Sequence, residues 1–158
     1  MDSKLMDVLT RIEYDKKYFE EFVNAKIENV SVNEKTNSLT VVIKNETNLT
    51  IEAFNSLEKA LKDFFNTPNV FLIIDAENIN NDILLLEYKN IIDILKREKP
   101  MLEVFENNFF VQDYTIRVAH EHEKELIEKY KEQIKNHLYS RGFDIDIKII
   151  ISEEERNN

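Results

Sequence analysis

The apolar residues of this chain run through the same order twice, and that repetition limits the fold more than any single motif. In the first half, Leu5, Met6, Leu9 and Ile12 recur at helical spacing, and after Asp15, a candidate N-cap, so do Tyr18, Phe19 and Phe22. From Lys26 the period drops to two: Ile27, then Val30 and Val32, the polar loop Asn33 to Ser38, then Leu39, Val41 and Ile43. This predicts a short helical hairpin followed by a β-hairpin with one buried face. Thr50 is placed to cap a helix carrying Ile51, Phe54, Leu57, Leu61 and Phe64 on one side. Proline cannot continue a helix, so Asn66–Thr67–Pro68 ends it, and Val70 to Ile74 reads as a third strand.

After a polar break at Asp75 to Asp82 the order restarts. Tyr88, Ile91, Ile92 and Leu95 mark a helix, Pro100 suits the first residue of the next, and Leu102 and Phe105 give that one its apolar side. Phe109 to Val111 and then Tyr114, Ile116 and Val118 predict a hairpin turning at Gln112–Asp113. Leu126, Ile127, Tyr130, Ile134 and Leu138 predict one long helix, Glu123 to Arg141, with Gly142 as the left-handed residue just past its end. Ile145, Ile147 and Ile149 alternate as the last strand. A shift of about 75 positions lays Leu39, Val41 and Ile43 over Tyr114, Ile116 and Val118, and Val70, Leu72 and Ile74 over Ile145, Ile147 and Ile149. The expected fold is therefore α+β, with two tandem ααββαβ units, residues 1–78 and 79–158, each a three-stranded sheet covered by helices. Charge repeats too: the first half has 9 basic and 14 acidic side chains and the second 12 and 17, a net −5 in each.

Several classes of function drop out on composition. The chain has no cysteine, which removes disulfides, thiolate nucleophiles, iron–sulfur clusters and Cys-based zinc sites. A single glycine leaves no P-loop, no G-x-G-x-x-G and no GXXG loop of the kind RNA-binding KH domains use. The net charge of −10 repels phosphate backbones. No apolar run reaches the roughly 18–20 residues of a membrane span, and the acidic start lacks the basic and apolar regions of a signal peptide. These features predict a cytoplasmic protein with no membrane, nucleic-acid or small-molecule partner.

Three clusters could carry chemistry. His120–Glu121–His122–Glu123 offers imidazole and carboxylate ligands and would make the chain a small metal-dependent enzyme, but it lacks the HExxH spacing and falls where acids favour a helix start. Asp144 and Asp146 share a side of the last strand with Lys148, a pattern equally expected of a solvated sheet face. Ser140 has no G-x-S-x-G context. Lys124, Lys129, Lys131 and Lys135 are interleaved with Glu123, Glu125, Glu128 and Glu132, mostly as i,i+3 and i,i+4 partners on a solvated face. The aromatic group Tyr14, Tyr18, Phe19 and Phe22 exceeds what one helix stripe needs. Tyr14, Tyr18 and Phe19, set among Asp15, Lys16, Lys17 and Glu20, form the candidate partner-binding surface.

In the second half, Glu128–Lys129–Tyr130 to Ile134, Leu138–Tyr139, Arg141–Gly142–Phe143 and Ile149 to Glu154 resemble the pattern of the N-terminal region of PolC-type DNA polymerase III α subunits. In the first half, Lys35 to Leu39 is similar to that family's K-x-S-x-W hairpin and Leu49 to Phe54 to its L-P-F helix entry, with Leu39 in place of Trp and Thr50 in place of Pro. Each unit also resembles domain I of DnaA and the C-terminal domain of the clamp-loader τ subunit, both KH-like folds used for protein contacts. The resemblance implies a non-catalytic docking region for the replisome, with τ as partner and no cofactor. It also implies that the OB fold, exonuclease, PHP and polymerase domains, and with them every catalytic residue, lie downstream. Phosphate neutralisation drives DNA affinity, so the segment is expected not to bind single- or double-stranded DNA tightly. Submicromolar, salt-sensitive binding in a titration would contradict this and favour the alternative, a nucleic-acid-binding KH-like module.

Overall fold

Two separate sheets organise the chain. The structure, a computed structural model, describes residues 3–5 and 16–152. Its described residues fall into two units: one runs to Ile83 and takes in Ser140–Gly142, and the other comprises 84–139 and the chain from Phe143. The architecture is α+β, with a four-stranded mixed sheet in the first unit and a three-stranded mixed sheet in the second.

In the first unit β1 (Ser3–Lys4), β2 (Lys26–Asn33), β3 (Ser38–Thr47) and β4 (Val70–Asn78) lie in that order. The two-residue β1, paired antiparallel to Lys26 and Ile27, is a strand that the periodicity did not predict. Of the first predicted helix, Met6, Leu9 and Ile12 lie outside the described residues. The second predicted helix is present as a 3-10 helix, Lys16–Glu21. The β2–β3 hairpin turns as expected, with the Asn33 side chain accepting from the Lys35 and Thr36 N–H groups and Asn37 in the left-handed region. The three-residue step from Ile27 to Val30 contains a β-bulge. The extra residue keeps Ile27, Val30 and Val32 opposite Ile43, Val41 and Leu39, on one face. Burial of that face is partial, because Val30 and Val32 are 41% and 66% exposed. The covering helix α1 (Ile51–Phe65) lies against β4 and the 3-10 helix and leaves the far end of β2 bare.

Helix α1 begins and ends where expected. Thr50 Oγ1 accepts from the Ala53 N–H at 3.3 Å, and Asn66 adopts φ +53° at the other end. Phe54, Leu57 and Leu61 are buried with Ala53 and Ala60, while Ile51 and Phe64 are only half-buried. Strand β4 runs parallel to β3, as a helical crossover requires. It extends past Ile74, because Asn45↔Ala76 and Thr47↔Asn78 continue the ladder through the predicted polar break.

In the second unit helix α2 (Asn81–Lys96) begins behind Asn80, whose side chain accepts from the Asp82 and Ile83 N–H groups. A 3-10 helix, Pro100–Phe105, completes the helical hairpin with proline first, as expected. The buried Tyr88 joins the two, donating its hydroxyl to the Phe105 carbonyl at 2.7 Å and stacking on Phe109 with centroids 4.6 Å apart. Burial raises its phenol pKa well above the usual value, helped by the charge of Glu106. Strands β5 (Phe109–Phe110), β6 (Thr115–Val118) and β7 (Lys148–Ile151) then form the sheet, β6 antiparallel to β5 and parallel to β7.

Four expectations for this unit need correction. Tyr114 belongs to the hairpin turn, at φ +56°, and β6 begins only at Thr115. The long helix is two, α3 (Glu121–Glu128) and α4 (Lys131–Ser140), because Lys129 and Tyr130 tighten into i→i−3 bonds to Leu126 and Ile127. The last strand is shorter: Ile145 and Ile147 are buried in alternation, but pairing starts only at Lys148. The register differs as well. Val41 faces Leu72 in the first sheet, whereas Ile116 faces Ile149 rather than Ile147 in the second. The repeat offset is thus two residues larger for the last strand, and an even slip keeps each side chain on its face.

Gly142 has φ +96°, and the Phe143 N–H reaches back to the Leu138 carbonyl at 2.9 Å, closing a Schellman turn. A Cβ at Gly142 would lie 2.6 Å from Asn48 Nδ2, 3.0 Å from Ala76 Cβ and 3.2 Å from the Ile74 carbonyl oxygen. Gly142→Ala is therefore expected to cost about 2–3 kcal/mol in backbone strain and crowding. In a thermal melt this lowers Tm by about 4–12 °C. An unchanged Tm would contradict the placement.

Candidate functional site

Of the candidate docking residues, Tyr18 sits on a segment that the core holds in place. In the 3-10 helix Lys16–Glu21, Tyr18 is half-buried and packs against the first unit's core, with Lys17 Nζ 5.5 Å from its ring centroid. Tyr14 and the side chain of Phe19 lie outside the described residues. Phe22, grouped with them by spacing, is fully buried and belongs to the core.

What fixes this segment is a polar clamp at the start of α1. Glu21 Oε1 accepts from the Thr50 backbone N–H and Oε2 from the Thr50 hydroxyl, both at 2.8 Å. A carboxylate is favoured there because the first N–H groups of a helix lack intrahelical partners and carry partial positive charge. The buried Asn45 donates to the Glu21 carbonyl at 3.0 Å and to the Thr47 carbonyl at 2.8 Å. Buried Asn48 accepts from the Asn80 N–H at 2.8 Å and donates to the Arg141 carbonyl at 2.8 Å. The Arg141 guanidinium lies 4.0 Å from the Phe54 ring centroid. Thr50, Phe54 and Arg141 were marked in the sequence only as a cap, an apolar position and a helix end, and Glu21, Asn45 and Asn48 were not singled out at all. Asn45 was findable, since it continues the buried phase of Leu39, Val41 and Ile43 by one more step of two.

The other candidate clusters take structural places. His120 precedes α3, and Glu123 Oε1 accepts from the Ala119 and His120 N–H groups at 3.0 Å, so this carboxylate is engaged in capping. The His120 and His122 rings stack at 5.3 Å. Among the described residues no group of three His, Asp or Glu is placed to hold a metal ion. Asp144, Asp146 and Lys148 are exposed, and the Ser140 hydroxyl accepts from Arg141 Nη1 at 2.6 Å. The expected Lys–Glu pairs are not formed: among the described residues no ion pair within 4.0 Å involves Lys124, Lys129, Lys131 or Lys135. Exposed side chains in water gain little by pairing.

A second surface was not anticipated. In the second unit's helical hairpin Leu86, Ile94, Met101 and Val104 are exposed. The second unit also buries a hydrogen bond between His137 Nε2 and Glu87 Oε1 at 3.0 Å. Among the described residues no helix is long and apolar enough to cross a membrane.

The clamp generates a test. Glu21→Ala removes two charge-assisted hydrogen bonds and is expected to cost about 2–3 kcal/mol in urea unfolding. Thr50→Val keeps the backbone bond and is expected to cost only about 1 kcal/mol. Equal losses in the two variants would contradict the arrangement.

The comparisons with known proteins bear on this same unit. Residues 4–70 match the family model described as DNA polymerase III polC-type N-terminus I. No curated protein and no solved structure matches the chain. The matched segment contains the 3-10 helix, the β2–β3 hairpin and α1, and reaches the first residue of β4. The similarity to the polC-type N-terminus I family of DNA polymerase III thus falls on the first unit.

Proposed function

We propose that this chain is the non-catalytic docking region of a replicative polymerase of the PolC type, binding the clamp-loader τ subunit through the first helical hairpin. The observation that carries the reading is the family match over residues 4–70, which supports a role in DNA replication. On this reading the chain is two tandem KH-like units, residues 1–78 and 79–158, that work in the cytoplasm without cofactor, small-molecule substrate or membrane. Catalysis is left to the rest of the polymerase. Two physical features support it. The net charge of −10 disfavours DNA as the direct ligand. The clamp at Glu21 holds Tyr18 at a fixed place beside charged neighbours, and an aromatic side chain within a polar rim is the usual anchor of a protein interface.

A pull-down with purified τ tests whether the two proteins meet, and calorimetric titration tests where. Tyr18→Ala is expected to weaken τ binding by about 1–2 kcal/mol, as for a moderate hot spot. Circular dichroism should show the variant still folded. A folded variant that binds τ unchanged places the site elsewhere, and the absence of any τ binding by the wild-type chain removes τ as the partner.

A further inference from the structure

Strand β2 is held on one side only over most of its length. β1 pairs with it at Lys26 and Ile27 alone, while β3 follows it in regular register from Asn29↔Val42 to Asn33↔Ser38. Among the described residues no other strand pairs with β2, so from Asn29 to Asn33 its outer edge presents backbone N–H and C=O groups without a ladder partner. Both faces of this stretch are bare as well. All five residues are exposed, and on the inner side Val30 is 41% and Val32 66% exposed. Free edges in proteins are normally guarded by a charge, a proline or a covering element. Asn29–Val30–Ser31–Val32–Asn33 contains neither charge nor proline, and the β-bulge lies ahead of it.

The residue order says what fits there. Asn29–Val30–Ser31–Val32–Asn33 reads the same in both directions, and Ser31 is the midpoint of the free edge, between Ile27, which β1 occupies, and the turn that starts at Glu34. A second copy laid antiparallel about Ser31 sets Val30 against its Val32, Asn29 against its Asn33 and Ser31 against its own counterpart. Valine then meets valine on the inner side and polar meets polar on the outer side. Beyond the five, Glu28 comes beside Glu34 and Lys35 of the second copy, one like charge and one unlike, so charge does not decide the pairing.

We propose that this edge is a homodimer interface: two copies of the chain pair antiparallel along β2 about a two-fold axis at Ser31, joining their four-stranded sheets edge to edge. The backbone groups of the two edges satisfy one another, and the exposed valines of each copy cover those of the other.

Sedimentation equilibrium of the 158-residue chain tests it. A five-residue strand pair buries less than the roughly 1,200 Å² of a stable interface, so the expected Kd is on the order of 100 µM. An interface of backbone and valine should change less than about twofold with added salt. Ser31 is exposed on the outer side, so charges there spare the fold, which circular dichroism checks. Ser31→Lys and Ser31→Glu each place like charges opposite one another and should weaken association about 3- to 10-fold. An equimolar mixture of the two should associate at least as tightly as the wild type, because residue 31 meets itself only across this axis. Val32→Thr keeps the β-branched shape and should weaken association about 2- to 5-fold. A chain that stays monomeric to about 1 mM overturns the proposal and leaves this edge to an extended segment of another protein. A dimer that tolerates both Ser31 charges overturns it too, as does a mixture that fails to recover association.

Discussion

A carboxylate placed at the start of a helix ties three segments of the first unit to one another. The first turn of α1 has N–H groups with no partner of their own kind. Glu21 supplies one from another segment, taking both the backbone N–H and the hydroxyl of Thr50, while that hydroxyl in turn accepts from Ala53. Asn45, at the end of the buried phase of β3, donates to the Glu21 carbonyl. The end of the central strand, the start of the covering helix and the 3-10 helix that carries Tyr18 are thereby fixed to one another. Apolar burial sets which face of the sheet α1 covers, and this polar network sets where the 3-10 helix sits on it.

The elements with strong periodicity were legible in the sequence, and the reasons are local. Thr50 and Asn66–Thr67–Pro68 bound α1 because capping and proline chemistry act within a few residues. Gly142 was identified as a left-handed residue because it is the one glycine, beside a helix end. Whatever depended on pairing partners was not legible. Nothing in Asp75 to Asn78 marks it as strand until Asn45 and Thr47 are seen opposite, and the two-residue β1 exists only because Lys26 and Ile27 offer it an edge. The β7 register slipped by two because alternation is unchanged by an even shift. The break between α3 and α4 has no proline or glycine to announce it.

Candidate sites were harder to read than the fold. Tyr18 is half-buried against the core, whereas Phe22 from the same aromatic group is wholly core. The histidine cluster looked like ligands because residue type was visible and geometry was not, and Glu123 turned out to be spent on capping. The exposed Leu86 and Ile94 of α2 escaped notice because a strong inward stripe already satisfied the helical pattern. In a chain with nineteen isoleucines, extra apolar residues on a helix attract little attention until their exposure is known.

The central claim, that the chain docks τ through the first helical hairpin, is tested most directly by hydrogen–deuterium exchange of the chain alone and with saturating τ. The account predicts slower exchange over Lys16–Glu21 in the complex, with the amides of β6 and β7 unchanged. Protection confined to residues 84–152, with Lys16–Glu21 exchanging as in the free chain, would contradict it.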